Sequence, residues 1–308
     1  MSNRIELVNT SQPGAAVRDE VPERSPGAHS AAAAAAAVAR LRALAGRFAE
    51  RFGLRENPFH DSVNLEYFFK SAAHEEAFLR LAATVRDGIA LGLVTGPSGV
   101  GKTIVSQLLL QSLDGADARV TMVLVTPQMG RTALLREILR EAGVTEMPMR
   151  FQDLLGLLES TMIDLHRQGK RLVVIVDEAH FLSSEALHVL RALSNLESPQ
   201  QKLCTCLLFA EERFLRRLQH PVHSSLATRI YHRISLRPLS EQETAQYLNF
   251  RVLVAGGRSE LFDDEARGAI YAASGGICRE VNRLAYLALD AAWRNGRESI
   301  GADLVESR

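Results

Sequence analysis

Gly92-Leu93-Val94-Thr95-Gly96-Pro97-Ser98-Gly99-Val100-Gly101-Lys102-Thr103 carries an apolar run into a glycine-rich turn that ends on a lysine. From Gly96 to Thr103 it satisfies G-x-x-x-x-G-K-[ST] at every fixed position, between a strand pattern and a helix pattern. Glycines let successive backbone N–H groups converge on phosphate oxygens, and the positive end of the following helix adds to them. Gly96, Pro97, Ser98, Gly99, Val100, Gly101, Lys102 and Thr103 are therefore expected to wrap the phosphates of ATP. Lys102 would reach the β- and γ-phosphates, and the Thr103 hydroxyl would ligate Mg²⁺.

A second stretch completes the first. Leu172-Val173-Val174-Ile175-Val176 is a buried-strand pattern that ends in Asp177-Glu178. In a parallel sheet the ligand crevice lies at such strand ends. Asp177 is expected to join Thr103 in the Mg²⁺ shell, and Glu178 to polarise the attacking water. Taken alone, two acids after a strand also fit an ordinary helix cap; the glycine loop upstream makes that reading the weaker one. Asp177-Glu178-Ala179-His180 spells the DEAH of certain RNA helicases, but those need a second ATPase-like lobe for which this chain has no room.

Outward from these motifs, apolar runs at residues 89–95, 120–125, 172–176, 203–209 and 230–236 alternate with helical patterns at 102–113, 132–141, 151–167 and 184–195. That alternation predicts a parallel sheet flanked by helices, and the near-continuous apolar runs predict strands covered on both faces. After Pro238 the strands stop. Ser240-Glu241-Gln242-Glu243 is a capping box for a helix towards Val254, and two further helices are expected at 264–273 and 279–293, separated by Gly275-Gly276. The fold class is thus α/β, a P-loop nucleotide-binding core over residues 53–237 with a C-terminal helical lid over 238–299 and a tail over 300–308. Residues 1–30 lack any period and are expected to be disordered. Residues 31–52 read as an amphipathic helix with Leu41, Leu44, Phe48 and Phe52 on one stripe and arginines around it.

Bulk properties narrow the function classes. Lys+Arg and Asp+Glu balance at 36 each in 308 residues, which argues against a wholly basic nucleic-acid binder. No apolar run approaches the roughly 20 residues of a membrane helix, and the alanine tract at 31–37 follows acids rather than the basic start of a signal peptide. Three cysteines without ligand spacing fit a reducing cytoplasm.

The order of the remaining segments resembles the AAA+ ATPases of the general secretion pathway protein A (ExeA-like) family. The resemblance runs over about residues 50–290. It rests on Phe52-Gly53-Leu54-Arg55-Glu56-Asn57-Pro58-Phe59, Tyr67-Phe68-Phe69, His74-Glu75-Glu76-Ala77, Leu193-Ser194-Asn195-Leu196-Glu197, Thr228-Arg229-Ile230 and Ser274-Gly275-Gly276-Ile277-Cys278-Arg279-Glu280-Val281-Asn282-Arg283. It implies a homo-oligomeric, Mg²⁺-dependent ATPase acting on a protein partner. Arg229 would be offered to a neighbouring subunit's γ-phosphate, with a surface ion pair as the plain alternative. Arg279 would couple the lid to the nucleotide. Asn57-Pro58-Phe59 would lie near the adenine or else form a turn packed on the core.

There are departures. Glu211 stands where the family carries a neutral polar sensor, and a carboxylate there meets like charge from phosphate unless Mg²⁺ or an arginine intervenes; Asn195 is the candidate substitute. His180 and Phe181 replace the family's usual residues after the acids. Full-length family members continue into a membrane helix and an envelope-binding domain, whereas this sequence ends soon after the lid, so the resemblance does not carry over a peptidoglycan role. A DNA-associated AAA+ regulator similar to the transposition ATPases is the alternative, with Arg213, Arg216 and Arg217 as its candidate DNA-facing patch, although a solvated helix face is the favoured reading of those three. A nucleotide-gated switch with negligible turnover is a third reading.

Overall fold

A computed structural model describes residues 50–305 apart from 116 and 200. The expected disordered segment, nearly all of the amphipathic helix at 31–52 and the end of the tail lie outside the described residues. Of the helix's apolar stripe only Phe52 is described, and it is buried.

All five apolar runs become strands: β1 Leu91–Thr95, β2 Ala118–Leu124, β3 Arg171–Asp177, β4 Cys204–Ala210 and β5 Ile230–Ser235. They pair in parallel in the order β2-β3-β4-β1-β5. Successive strand residues face opposite ways, so Val174 and Val176 enter one core and Val173 and Ile175 another. The first face is covered by α3 Arg131–Glu141, α4 Phe151–Arg167 and α5 Ser184–Leu193, and the second by α1 Ala72–Arg86 and α2 Lys102–Leu113. Burial on both faces is why β1 and β4 read as unbroken apolar stretches. The expectation of two covered faces fails for β5. It pairs only with β1 at the sheet edge, its burial alternates, and Tyr231 on it is 75% exposed.

Helix α1 has no counterpart among the expected elements. Ser71 caps it by accepting the His74 N–H, and Ala77, Leu81 and Val85 recur four apart on its buried side. Between β4 and β5 lie two short helices, α6 Arg213–Leu218 and α7 Ser224–Ala227.

After β5 come α8 Glu241–Val254, α9 Asp264–Ser274 and α10 Cys278–Arg294. The capping box that opens α8 is formed in both directions, Ser240 Oγ accepting from the Glu243 N–H and the Glu243 carboxylate from the Ser240 N–H. These three helices bury their apolar faces together with Phe52, Leu54, Phe59 and Tyr67 from before α1. Asn57-Pro58-Phe59 is accordingly a turn within that core. Asn57 Oδ1 accepts the Phe59 N–H at 2.9 Å, and the Phe59 ring meets Phe262 edge-on at 5.6 Å.

Candidate functional site

Parallel pairing places the C-terminal ends of β1, β3 and β4 at one edge of the sheet. The β1 end turns into the glycine loop, β3 ends on Asp177, and Thr95 is in register with Ala210, one residue before Glu211. An open cleft lies over this edge, floored by Ser98, Gly99, Gly101, Lys102, Thr103 and Glu178.

The loop glycines are demanded by geometry. Gly101 precedes α2 with φ +100°, and a Cβ there would lie 2.6 Å from His74 Nε2. Gly99 has φ +81°, and its Cβ would come within 2.8 Å of the Arg279 Cβ. Both conformations belong to glycine. His74 braces the loop: its Nε2 donates to the Val100 carbonyl at 2.9 Å, while Ser71 Oγ lies 2.6 Å from Nδ1. Burial holds the His74 pKa below its ordinary value, consistent with a neutral ring.

Lys102 is buried, and its ammonium donates to the carbonyls of Gly96 and Pro97 at 3.0 and 2.9 Å. Burial pushes its pKa down, and the carboxylates of Glu178, Glu211 and Asp177 act against that push. Asp177 is fully buried. Its Oδ1 accepts the Glu178 N–H at 2.9 Å, whereas its Oδ2 has no hydrogen-bond partner. Burial raises its pKa and the hydroxyl of Thr103 opposes the rise. A hydroxyl beside a carboxylate that keeps one oxygen unsatisfied is a donor set of the hard, oxygen-only kind that suits Mg²⁺.

Glu178 takes φ +57° and ψ +36°, the left-handed region that costs a non-glycine residue about 1–2 kcal/mol. Strained backbone of this kind concentrates at functional sites. The turn breaks β3 abruptly and brings the carboxylate into the cleft.

Arg279, at the start of α10, closes over the loop. Its backbone N–H donates to the Gly99 carbonyl at 3.1 Å, Nη1 donates to Ser98 Oγ at 3.2 Å, and Nε lies 3.6 Å from Asp61 Oδ1. The far wall was not read from the sequence. Arg251 is buried there, donating to the Pro58 carbonyl at 2.5 Å and to the Tyr247 hydroxyl at 2.7 Å. The Tyr247 hydroxyl in turn donates to Asn282 Oδ1 at 2.8 Å, and burial pushes the Tyr247 pKa up to about 12. The available signal was an arginine at a core-facing position of α8, four residues after Tyr247.

Residues 85–218 match the family model described as an AAA domain. Over 254 residues the chain is 35% identical to General secretion pathway protein A of Aeromonas hydrophila, covering 82% of this chain and 46% of that protein. Over most of its own length the chain is similar to the AAA+ proteins of the general secretion pathway protein A type. It spans about half the length of that relative. Solved structures with the same fold include the ORC2 protein of Aeropyrum pernix in ADPNP–ADP complexes, with TM-score 0.61, 19% identity, and 81% of this chain against 70% of that one. They also include the ORC1 protein of the same organism in complex with DNA, with TM-score 0.60, 20% identity, and 82% of this chain against 67% of that one. No helix among the described residues is long and apolar enough to cross a membrane.

Within the AAA+ pattern the remaining candidates separate. Arg229 lies between α7 and β5 and is not among the residues lining the cleft. Its guanidinium donates to Asn195 Oδ1 at 2.6 and 3.0 Å and to the Ser225 carbonyl at 3.0 Å. Asn195, the candidate substitute for Glu211, is thus engaged by Arg229. Glu211 does meet an arginine, with Arg213 Nε 3.0 Å from its Oε2. Arg217 turns inward to the carbonyls of His180 and Leu182. Of the three arginines read as a DNA-facing patch, two are thus committed within the chain, and Arg216 is exposed.

Proposed function

We propose that this AAA+ protein binds Mg·ATP in the cleft and hydrolyses it, as a homo-oligomer in the cytoplasm, to drive assembly or remodelling of a complex of protein partners. The observation that carries the reading is the convergence of Lys102, at the end of the loop that follows β1, with Asp177 and Glu178, at the end of β3, beneath Arg279. In this reading the loop N–H groups and the Lys102 ammonium bind the triphosphate, and Arg279 reports its presence to the helical lid. The Thr103 hydroxyl and the Asp177 carboxylate would hold Mg²⁺, which neutralises charge on the phosphates. Glu178 orients the attacking water and accepts its proton on a carboxylate oxygen. Arg229, exterior to its own cleft, faces the γ-phosphate of a neighbouring subunit.

The test is steady-state phosphate release from Mg·ATP, with EDTA as the blank and with duplex DNA at physiological salt as the added arm. Turnover that EDTA abolishes and DNA leaves unchanged is the expected result. Strong stimulation by duplex DNA would move the protein to the DNA-associated class, and no Mg²⁺-dependent turnover would reduce it to a nucleotide-gated switch.

A further inference from the structure

The ends of β3 and β4 bring together three side chains that could share a cation, Glu178, His180 and Glu211, with one ligand atom from each lying within 4.8 Å of the other two. His180 belongs to the single 3₁₀ turn Ala179–Phe181. Its side chain is only 1% exposed, and its Nε2 is buried without a hydrogen-bond partner, 3.9 Å from Glu211 Oε2. Its Nδ1 accepts the Glu211 N–H at 3.2 Å and lies 3.2 Å from Glu178 Oε2, another buried oxygen without a hydrogen-bond partner. An imidazole lone pair and a carboxylate oxygen facing each other at that distance repel unless positive charge lies between them. Two orphaned buried polar atoms in one cluster are costly in a folded protein.

We propose that Glu178, His180 and Glu211 form a second divalent-cation site, suited to a borderline ion of the zinc class and distinct from the oxygen-only pair Thr103 and Asp177. Imidazole with two carboxylates is a nitrogen–oxygen donor set that Zn²⁺ takes in four-coordinate geometry, whereas Mg²⁺ prefers oxygen and near-octahedral surroundings. Ligand atoms about 2.0–2.1 Å from a tetrahedral ion stand about 3.3–3.5 Å apart. An imidazole binds one ion through one nitrogen, and with Nδ1 engaged by the Glu211 N–H that nitrogen is Nε2, 3.9 Å from Glu211 Oε2, so the three side chains draw together slightly on binding. Charge favours a cation as well. Asp177, Glu178 and Glu211 all act on Lys102, and Arg213 pairs with Glu211 Oε2, so Arg213 and the ion would share that carboxylate. The acid at position 211, out of place as a neutral sensor, is in place as a ligand. The regulatory consequence rests on the ATPase reading: a carboxylate that ligates an ion cannot accept a proton from water, so occupation of this site halts turnover.

The test is titration of the full chain with zinc chloride in saturating Mg²⁺ and without nucleotide, followed by calorimetry, with X-ray absorption at the zinc edge. One zinc per chain with a single imidazole among nitrogen and oxygen ligands is expected. His180→Gln and Glu211→Gln should each weaken binding about tenfold or more, since even outer-shell partners are worth about 10–100-fold in metal affinity. His220→Ala, at the separate histidine group around His223, should leave binding unchanged. Zinc should slow phosphate release by the unaltered chain and require about tenfold higher concentration in Glu211→Gln. No saturable zinc binding, or undiminished binding by Glu211→Gln, whose side chain is 31% exposed and peripheral enough to spare folding, would overturn the proposal. Because binding is read without ATP, its failure leaves the ATPase reading standing, and zinc bound by a chain that never turns over ATP would sink that reading alone.

Discussion

Arg279 and Gly99 are joined main chain to main chain: the arginine N–H donates to the glycine carbonyl at 3.1 Å, pinning the first turn of α10 to the phosphate loop. Gly99→Ala should break that joint, because φ is +81° and the new Cβ would sit 2.8 Å from the Arg279 Cβ. A loss of about 1–3 kcal/mol in unfolding free energy is expected, together with weaker binding of a fluorescent ATP analogue. Gly268→Ala is the matched comparison. It lies inside α9, and a Cβ added there would meet nothing within 4 Å, so chemical denaturation should show a gain of about 0.4–1 kcal/mol.

Glu178 separates chemistry from backbone strain. Glu178→Gln should cut phosphate release by about 10²–10⁴-fold while nucleotide binding persists. Glu178→Gly should be equally inactive yet no less stable, since it relieves a left-handed turn that costs about 1–2 kcal/mol. A thermal midpoint several degrees below that of the parent chain would show that the carboxylate, not the turn, holds β3 and the following segment in place.

Arg229→Ala should abolish turnover, by about 10³-fold or more on the scale of arginine fingers. Mixing it with Glu178→Gln should restore part of the rate, because some interfaces then pair an intact Glu178 with an intact Arg229. Two inactive variants that stay inactive when mixed would place Arg229 in a role confined to its own subunit. Asn195→Ala, which removes the acceptor holding the guanidinium, should lower the rate less than Arg229→Ala does.

The start of α8 predicts an acid-side stability change. Arg237 donates two hydrogen bonds to Glu243 and holds its carboxyl below the ordinary value of 4.5, helped by the Ser240 N–H. A depressed carboxyl contributes stability above its unfolded value and loses it as pH falls through the folded value. The gap between the parent and Glu243→Gln, about 1 kcal/mol or less because Arg237 is half exposed, should be constant above about pH 5 and shrink below 4.5. A gap that is the same at pH 3 and pH 7 would rule this out.

The sheet and the phosphate loop were legible because each depends on local pattern. Unbroken apolar runs mark β1 and β4, and Lys102 and Asp177 announce themselves by spacing. The opposite wall was illegible because it is assembled from afar: Arg251 meets the Pro58 carbonyl across 193 residues, and nothing near either one foretells the other. Helix α1 was missed because His74, Ala77 and Thr84 on its buried side dilute the apolar stripe. The left-handed turn at Glu178 leaves no mark in sequence, since glycine would be the residue to expect there.

The segment that matches the AAA domain, residues 85–218, holds the phosphate loop, both strand-end acids and Glu211, but neither β5 nor any of the helices that share a core with Phe59 and Tyr67. Excised at those points it would bare the β1 edge that β5 normally pairs, an invitation to aggregate. It would also part company with Asp61, Phe68, Tyr247, Arg251 and Asn282 along the cleft. The phosphate loop and the acids beside it thus lie in one continuous passage, while the rest of the cleft lining is divided between two flanks. Substitutions that reshape the outer wall of the cleft and spare the phosphate loop are therefore expected on either side of residues 85–218.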